Sequence, residues 1–134
     1  MIGKLPDNVL NSLLETLPVE FSVVDAQDRV LAWNKHETRV FKRPEAVVGR
    51  DVRNCHPKKS LDKVEAILAE MKAGERETAE FWIDMKLEGS PEPEKILIRY
   101  LALRDADGTY LGCLECSQKI SRIQGLRGEK RLLD

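Results

Sequence analysis

Between residues 78 and 87 the chain alternates: Ala79, Phe81, Ile83, Met85 and Leu87 are apolar, and Thr78, Glu80, Asp84 and Lys86 between them are polar. Successive side chains on a strand point to opposite sides, so this period of two predicts a strand with one buried face. Trp82 falls on the polar side, and the outer face there is expected to be partly covered by another helix or another chain. Residues 95–103 read as a second strand, with Ile96, Ile98, Tyr100 and Ala102 on one face and Leu97, Arg99, Leu101 and Leu103 on the other. Asp105-Ala106-Asp107-Gly108 is a turn signal, and residues 109–117 return as a third strand, which makes 78–117 an antiparallel meander. The apolar face of such a sheet needs a second layer.

Upstream residues supply it. Leu61, Val64, Ile67, Leu68 and Met71 form one helical stripe; Ser60 is the expected N-cap, Asp62 suits the first turn, and Lys72 and Gly74 mark the end. Before it, residues 21–24 and 29–33 are rich in β-branched and aromatic residues and flank Asp25-Ala26-Gln27-Asp28, which predicts a hairpin. Asn34 and Glu37 have capping-box spacing for a helix running towards Phe41. Residues 44–48 suit one helical turn closed by a left-handed Gly49, and 49–59 read as irregular. At the front, Val9, Leu10, Leu13, Leu14 and Leu17 predict a short amphipathic helix ended by Pro18. At the back, Ile120, Ile123 and Leu126 suggest an exit helix or connector.

With 134 residues, 42% hydrophobic and 34% charged, the chain suits one globular domain. Lys and Arg number 22 against 23 Asp and Glu, so no excess charge argues for nucleic acid or a membrane surface as partner. No apolar run approaches the roughly 20 residues that span a bilayer, and residues 1–5 lack signal-peptide order, so a cytoplasmic location is expected. Three cysteines, Cys55, Cys113 and Cys116, make no disulfide framework and agree with a reducing compartment.

Two strands, several short helices and one long helix, then three strands predict an α+β fold: a five-stranded antiparallel sheet with the helices on one face and an N-terminal flanking helix. The expected division is a flanking helix over 1–18, a domain over 19–121 and a connector over 122–134. In this order, Asn34 after the second strand, Gly49-Arg50-Asp51-Val52, Arg104-Asp105-Ala106-Asp107-Gly108 and Tyr110-Leu111-Gly112 resemble a PAS domain over nearly the whole chain. Within that superfamily the chain is similar to the C-terminal PAS domain of bacterial and archaeal proteins that carry a hemerythrin-like helical domain upstream. The runs that carry this are Leu14-Glu15-Thr16-Leu17-Pro18, Asn54-Cys55-His56-Pro57, Ala79-Glu80-Phe81-Trp82-Ile83, Ile98-Arg99-Tyr100 and Gly128-Glu129-Lys130-Arg131-Leu132-Leu133-Asp134. The resemblance implies fusion to further domains in a longer protein. Lys119-Ile120-Ser121 departs from the usual Asp-Ile-Thr, whose Asp contacts a neighbouring strand or turn.

The resemblance also implies a cytoplasmic sensory module that holds a small molecule or cofactor in an apolar cavity and signals through its flanking helices. Two histidines, no Gly-rich phosphate loop and no nucleophile motif argue against an enzyme, so no catalytic residue is assigned. The expected ligand contacts are Val64, Phe81, Ile83, Ile98 and Tyr100 on the cavity wall, with Cys55 and His56 at the rim. Leu10, Leu13, Leu14 and Trp82 are the expected homodimer surface. Cys113-Leu114-Glu115-Cys116 has the spacing of a redox or zinc motif, but residues three apart on a strand face opposite ways, so no metal site is assigned. In haem-binding relatives the proximal histidine lies within the long helix. His56 precedes that stripe, so haem is not expected and the cofactor stays unnamed. Flavin-binding light sensors place a reactive cysteine sooner after the glycine than Cys55 follows Gly49, which argues against a photoadduct. His36 is assigned no role. A ligand-free dimerisation module and a haem or metal redox sensor using His56 are the alternative readings.

Overall fold

The computed structural model describes residues 1–34 and 39–132. Its elements are α1 (Asp7–Thr16), β1 (Glu20–Asp25), β2 (Val30–Trp33), two 3-10 turns (Glu45–Val47 and Val52–Cys55), α2 (Lys58–Lys72), β3 (Thr78–Met85), β4 (Glu94–Arg104), β5 (Tyr110–Lys119) and α3 (Ser121–Gln124). The five strands form one antiparallel sheet in the order β2-β1-β5-β4-β3. The meander over β3, β4 and β5 is as the alternation predicts, and β5 carries it onto the N-terminal hairpin, pairing Phe21 with Cys116 and Val24 with Cys113. The expected α+β architecture is the observed one.

Alternation decides which side chains meet α2. Ile96, Ile98 and Tyr100 on β4, Val24 on β1 and Cys113 on β5 are buried together with Val64, Leu68 and Met71 of α2. Met71, Ile96 and Val30 are fully enclosed, and each contributes about 1.5–3 kcal/mol through apolar area removed from water. Gly112 makes the β1–β5 contact possible: its φ is 152°, and a Cβ there would lie 2.0 Å from the Val24 carbonyl oxygen. Gly49, with φ of 81°, closes the turn after Val47 in the left-handed conformation expected of it.

Polar ties fix the hairpin to the helices. Asp28 sits in the β1–β2 turn at φ 63°, a conformation that Asp tolerates better than most residues. Its Oδ2 accepts from Arg53 Nη2 at 2.9 Å and Lys72 Nζ at 2.6 Å, so one carboxylate holds the turn, a 3-10 turn and the end of α2. The free edge of β2 is covered by the chain at 49–52: Gly49 N donates to Val30 O, Val30 N to Arg50 O and Val52 N to Asp28 O.

Local expectations change in two places. The helix α2 begins at Lys58 with Pro57 at its N-cap, so Ser60 lies inside the first turn and its N–H donates to Pro57 O at 2.9 Å. Proline fixes the extended backbone that precedes a helix, and here it outweighs the serine signal. Among the described residues Asn34 serves as a buried amide, and the capping contact expected of it lies outside them. Its side chain is 1% exposed; Oδ1 accepts from Phe21 N at 2.9 Å, and Nδ2 donates to Val19 O at 2.9 Å and Leu14 O at 3.3 Å. A buried amide needs several partners, and the backbone entering β1 provides them. Glu37 and His36 lie outside the described residues, and residues 39–44 are irregular rather than helical.

After β5, Ser121 Oγ accepts from Lys95 N at 3.1 Å, while Ile120 N donates to Lys95 O. Ile123 and Leu126 beyond it are exposed. Among the described residues no helix is long and apolar enough to cross a membrane.

Candidate functional site

Val64 and Leu68 of α2 face Val24, Tyr100 and Cys113 of the sheet across a small cavity, with Val52, His56 and Glu115 completing its wall. The cavity offers about 10 Å³ to the centre of a water-sized sphere, the room of about one water molecule. A larger guest therefore requires side chains to move.

His56 brings polarity to this apolar wall. Its Nδ1 lies 3.0 Å from the Val52 carbonyl oxygen and its Nε2 3.2 Å from the Tyr100 hydroxyl. A carbonyl only accepts, so in the neutral imidazole Nδ1 carries the proton and Nε2 accepts from Tyr100. Burial pushes the Tyr100 pKa far above the ordinary phenol value, and the nearby Glu115 charge adds to this, so the hydroxyl remains a neutral donor. Phe81 meets the Tyr100 ring edge to face, with centroids 5.4 Å apart.

A second, tighter cleft adjoins the first and shares Glu115 with it; Glu20, Ser22, Arg39, Arg43 and Ser117 are among its lining residues. Each guanidinium nitrogen of Arg39 is engaged, donating to the Phe41, Phe21 and Asn34 carbonyls and to Ser22 Oγ. Glu20, though buried, accepts from the Val40 and Phe41 N–H groups. Arg43 is less well served. Its Nη2 lies 3.5 Å from Glu115 Oε2, with side chains 9% and 16% exposed, and its buried Nε has no hydrogen-bond partner among the described residues.

Of the expected ligand contacts, His56, Val64 and Tyr100 lie on the cavity wall. Ile98 is buried in the adjoining core, and Cys55 and Phe81 pack against that core without lining the cavity. Ile83 is the departure. It pairs with the buried Ile96 on the inner face, so the register is as expected, but β3 is the sheet edge and Ile83 remains 38% exposed. Val24, Val52, Leu68, Cys113, Glu115 and Arg43 are site residues that the sequence reading did not select. The shared face of Cys113 and Glu115, two apart on one strand, was the available signal.

Cys113 and Cys116 do face opposite ways. Cys113 is opposite Val24 and Ala102; Cys116 is opposite Phe21 and Arg99. Burial, with help from the Glu115 and Asp28 charges, pushes the Cys113 thiol up to about 12, which makes it a poor nucleophile near neutral pH. Among the described residues no group of three or more His, Cys, Asp or Glu could hold a metal ion.

On the outer surface Leu10 and Leu13 are each about 40% exposed and Leu14 is half-buried. Trp82 is 63% exposed, so the cover expected over it does not come from the described residues of its own chain.

A five-stranded antiparallel sheet with short helices and one longer helix enclosing a small, mostly apolar cavity on one face defines a single-sheet α+β module. A family model described as the PAS domain matches residues 10–121, and the chain belongs to that family. Among solved structures, the C-terminal domain of a Streptococcus mutans protein is 32% identical, with 95% of this chain and 94% of that one covered and a TM-score of 0.82. The PAS domain of BvgS from Bordetella pertussis is 19% identical over 85% of each chain, with a TM-score of 0.63. The VqmA dimer of Vibrio cholerae is 16% identical over 92% of this chain and 55% of that one, also at 0.63. At these lower identities the likeness concerns the fold. No curated protein matches the chain.

Proposed function

We propose that this PAS domain is a non-enzymatic sensory module in which a small molecule enters the cavity between α2 and the sheet and the change reaches a partner copy and attached domains through α1 and α3. The observation that carries this reading is the His56–Tyr100 hydrogen bond, a polar handle set in an otherwise largely apolar wall, the composition of a small-molecule site. The fold-level likeness to VqmA, one structure of which is described as bound to DPO, supports it. The motif runs quoted above support a place in a hemerythrin-like, cytoplasmic protein, and the likeness to an S. mutans domain described as C-terminal agrees with a place at the end of it. Native mass spectrometry and an absorption spectrum of the purified chain test the reading: a bound metabolite or chromophore lost on changing Leu68 to Trp supports it.

The size of the cavity favours a second reading, in which the protein fills its own core and acts by dimerising through α1 and Trp82. A dimer that binds nothing in those spectra would establish it. A haem sensor built on His56 is the weaker alternative, because both ring nitrogens are already engaged, and a Soret band lost in His56→Ala would restore it.

A further inference from the structure

A guanidinium recognises a carboxylate best along its Nε–Nη2 edge, where two parallel N–H groups meet two oxygens. Arg43 is deeply buried, yet this edge is nearly unused: Nη2 reaches one Glu115 oxygen at 3.5 Å, the outer limit of a hydrogen bond, and Nε meets no acceptor among the described residues. An unpaired N–H on a buried charged group is costly, so the edge has an unmet demand for a second oxygen. Its neighbour Arg39 has no such demand, since backbone carbonyls and Ser22 take its N–H groups.

Glu115 is the partition. It lines both the apolar cavity and the cleft that holds Arg43. Turning its side chain aside would join the two and add its own volume to the small cavity. The joined site would have a cation at one place, Val24, Val52, Val64 and Leu68 as apolar wall, and His56–Tyr100 as a neutral polar pair. Building on the small-molecule reading above, we infer that the ligand class is a small branched or aromatic monocarboxylate, whose carboxylate takes the Nε–Nη2 edge of Arg43 and displaces Glu115. Two carboxylates on one guanidinium repel each other, so ligand and Glu115 compete rather than share. Glu115 then acts as an internal substitute for the ligand's anionic group, and its release is the first movement that binding causes.

Calorimetric titration of the full chain with isovalerate and phenylacetate, against isovaleramide and phenylacetamide, tests this. The acids should bind about tenfold or more tighter than the amides. Glu115→Gln, which removes the competing charge, should raise acid affinity by about tenfold. Arg43→Lys keeps the charge but loses the paired N–H groups and should lower it by about tenfold or more. Circular dichroism and melting of both variants establish that they remain folded. Equal binding of acids and amides, or no gain in Glu115→Gln, overturns the inference. If amides bind as tightly as acids and Leu68→Trp abolishes that binding, the sensor reading stands while the carboxylate inference falls. If neither acids nor amides bind any variant, the carboxylate inference falls, and the native mass spectrum of the purified chain decides the sensor reading separately.

Discussion

Lys72 and Asp28 are 44 residues apart in sequence, and their Nζ and Oδ2 atoms are 2.6 Å apart in the fold. The Asp28 side chain is 3% exposed, whereas Lys72 and Arg53, its two cations, are each about a third exposed. Asp28→Asn keeps the size and the tolerance of positive φ and removes only the charge. It should lower stability by about 2 kcal/mol, less than the ~3–5 kcal/mol of a fully buried pair because both cations reach solvent. A urea midpoint equal to that of wild type would show that the turn and α2 are held together without this carboxylate.

Gly112 and Gly108 both have positive φ, but only Gly112 has backbone against it. Gly112→Ala should cost about 3 kcal/mol or more, because its Cβ would overlap the Val24 carbonyl and force β5 away from β1. Gly108→Ala, with nothing within 4 Å, should cost about 1 kcal/mol of conformational strain. Paired denaturation curves read the difference; similar losses would mean that β1 and β5 separate easily.

Much of this fold is visible in the sequence because it rests on periodicity. The alternation from Ala79 to Leu87 marks β3, and the stripe from Val64 to Met71 marks the buried side of α2. The errors occur where one residue type serves two purposes. Asparagine serves as a cap or as a buried amide, and the role of Asn34 in tying Phe21, Val19 and Leu14 together is visible only once those backbones are placed around it. Ile83 follows the inner-face rule, but sequence does not reveal that its strand ends the sheet. The Arg43–Glu115 pair spans 72 residues and depends on strand order, which no local pattern encodes.

Alkaline pH should loosen the domain. The Cys113 and Tyr110 pKa values are each raised by burial to about 12, from ordinary values near 9 and 10. A raised folded-state pKa means that the unfolded chain loses its proton first, so stability is intact below about pH 9 and declines as pH rises towards 12. Equilibrium denaturation at pH 7.5, 9.5 and 10.5 should show little difference in the unfolding free energy between neutral pH and the onset near pH 9, then a fall. Cys113→Ala should shift part of that fall to higher pH. A pH-independent midpoint across this range would mean that these groups ionise as freely in the fold as outside it.

Trp82 lies on the outer face of the edge-side meander, opposite Leu97 on β4 and flanked along its strand by Phe81 and Ile83. At 63% exposure it contributes little to its own core, so Trp82→Glu should change monomer stability by no more than about 0.5 kcal/mol. As part of a dimer surface with Leu10 and Leu13 it would be a central aromatic anchor, the type of residue whose loss costs about 2 kcal/mol or more of association. Light scattering across micromolar concentrations should show wild type as a dimer and the variant shifted towards monomer, with unchanged far-UV circular dichroism. A wild type that remains monomeric at high micromolar concentration removes dimerisation from the account of this face. Loss of structure in the variant would instead show that Trp82 supports the sheet itself.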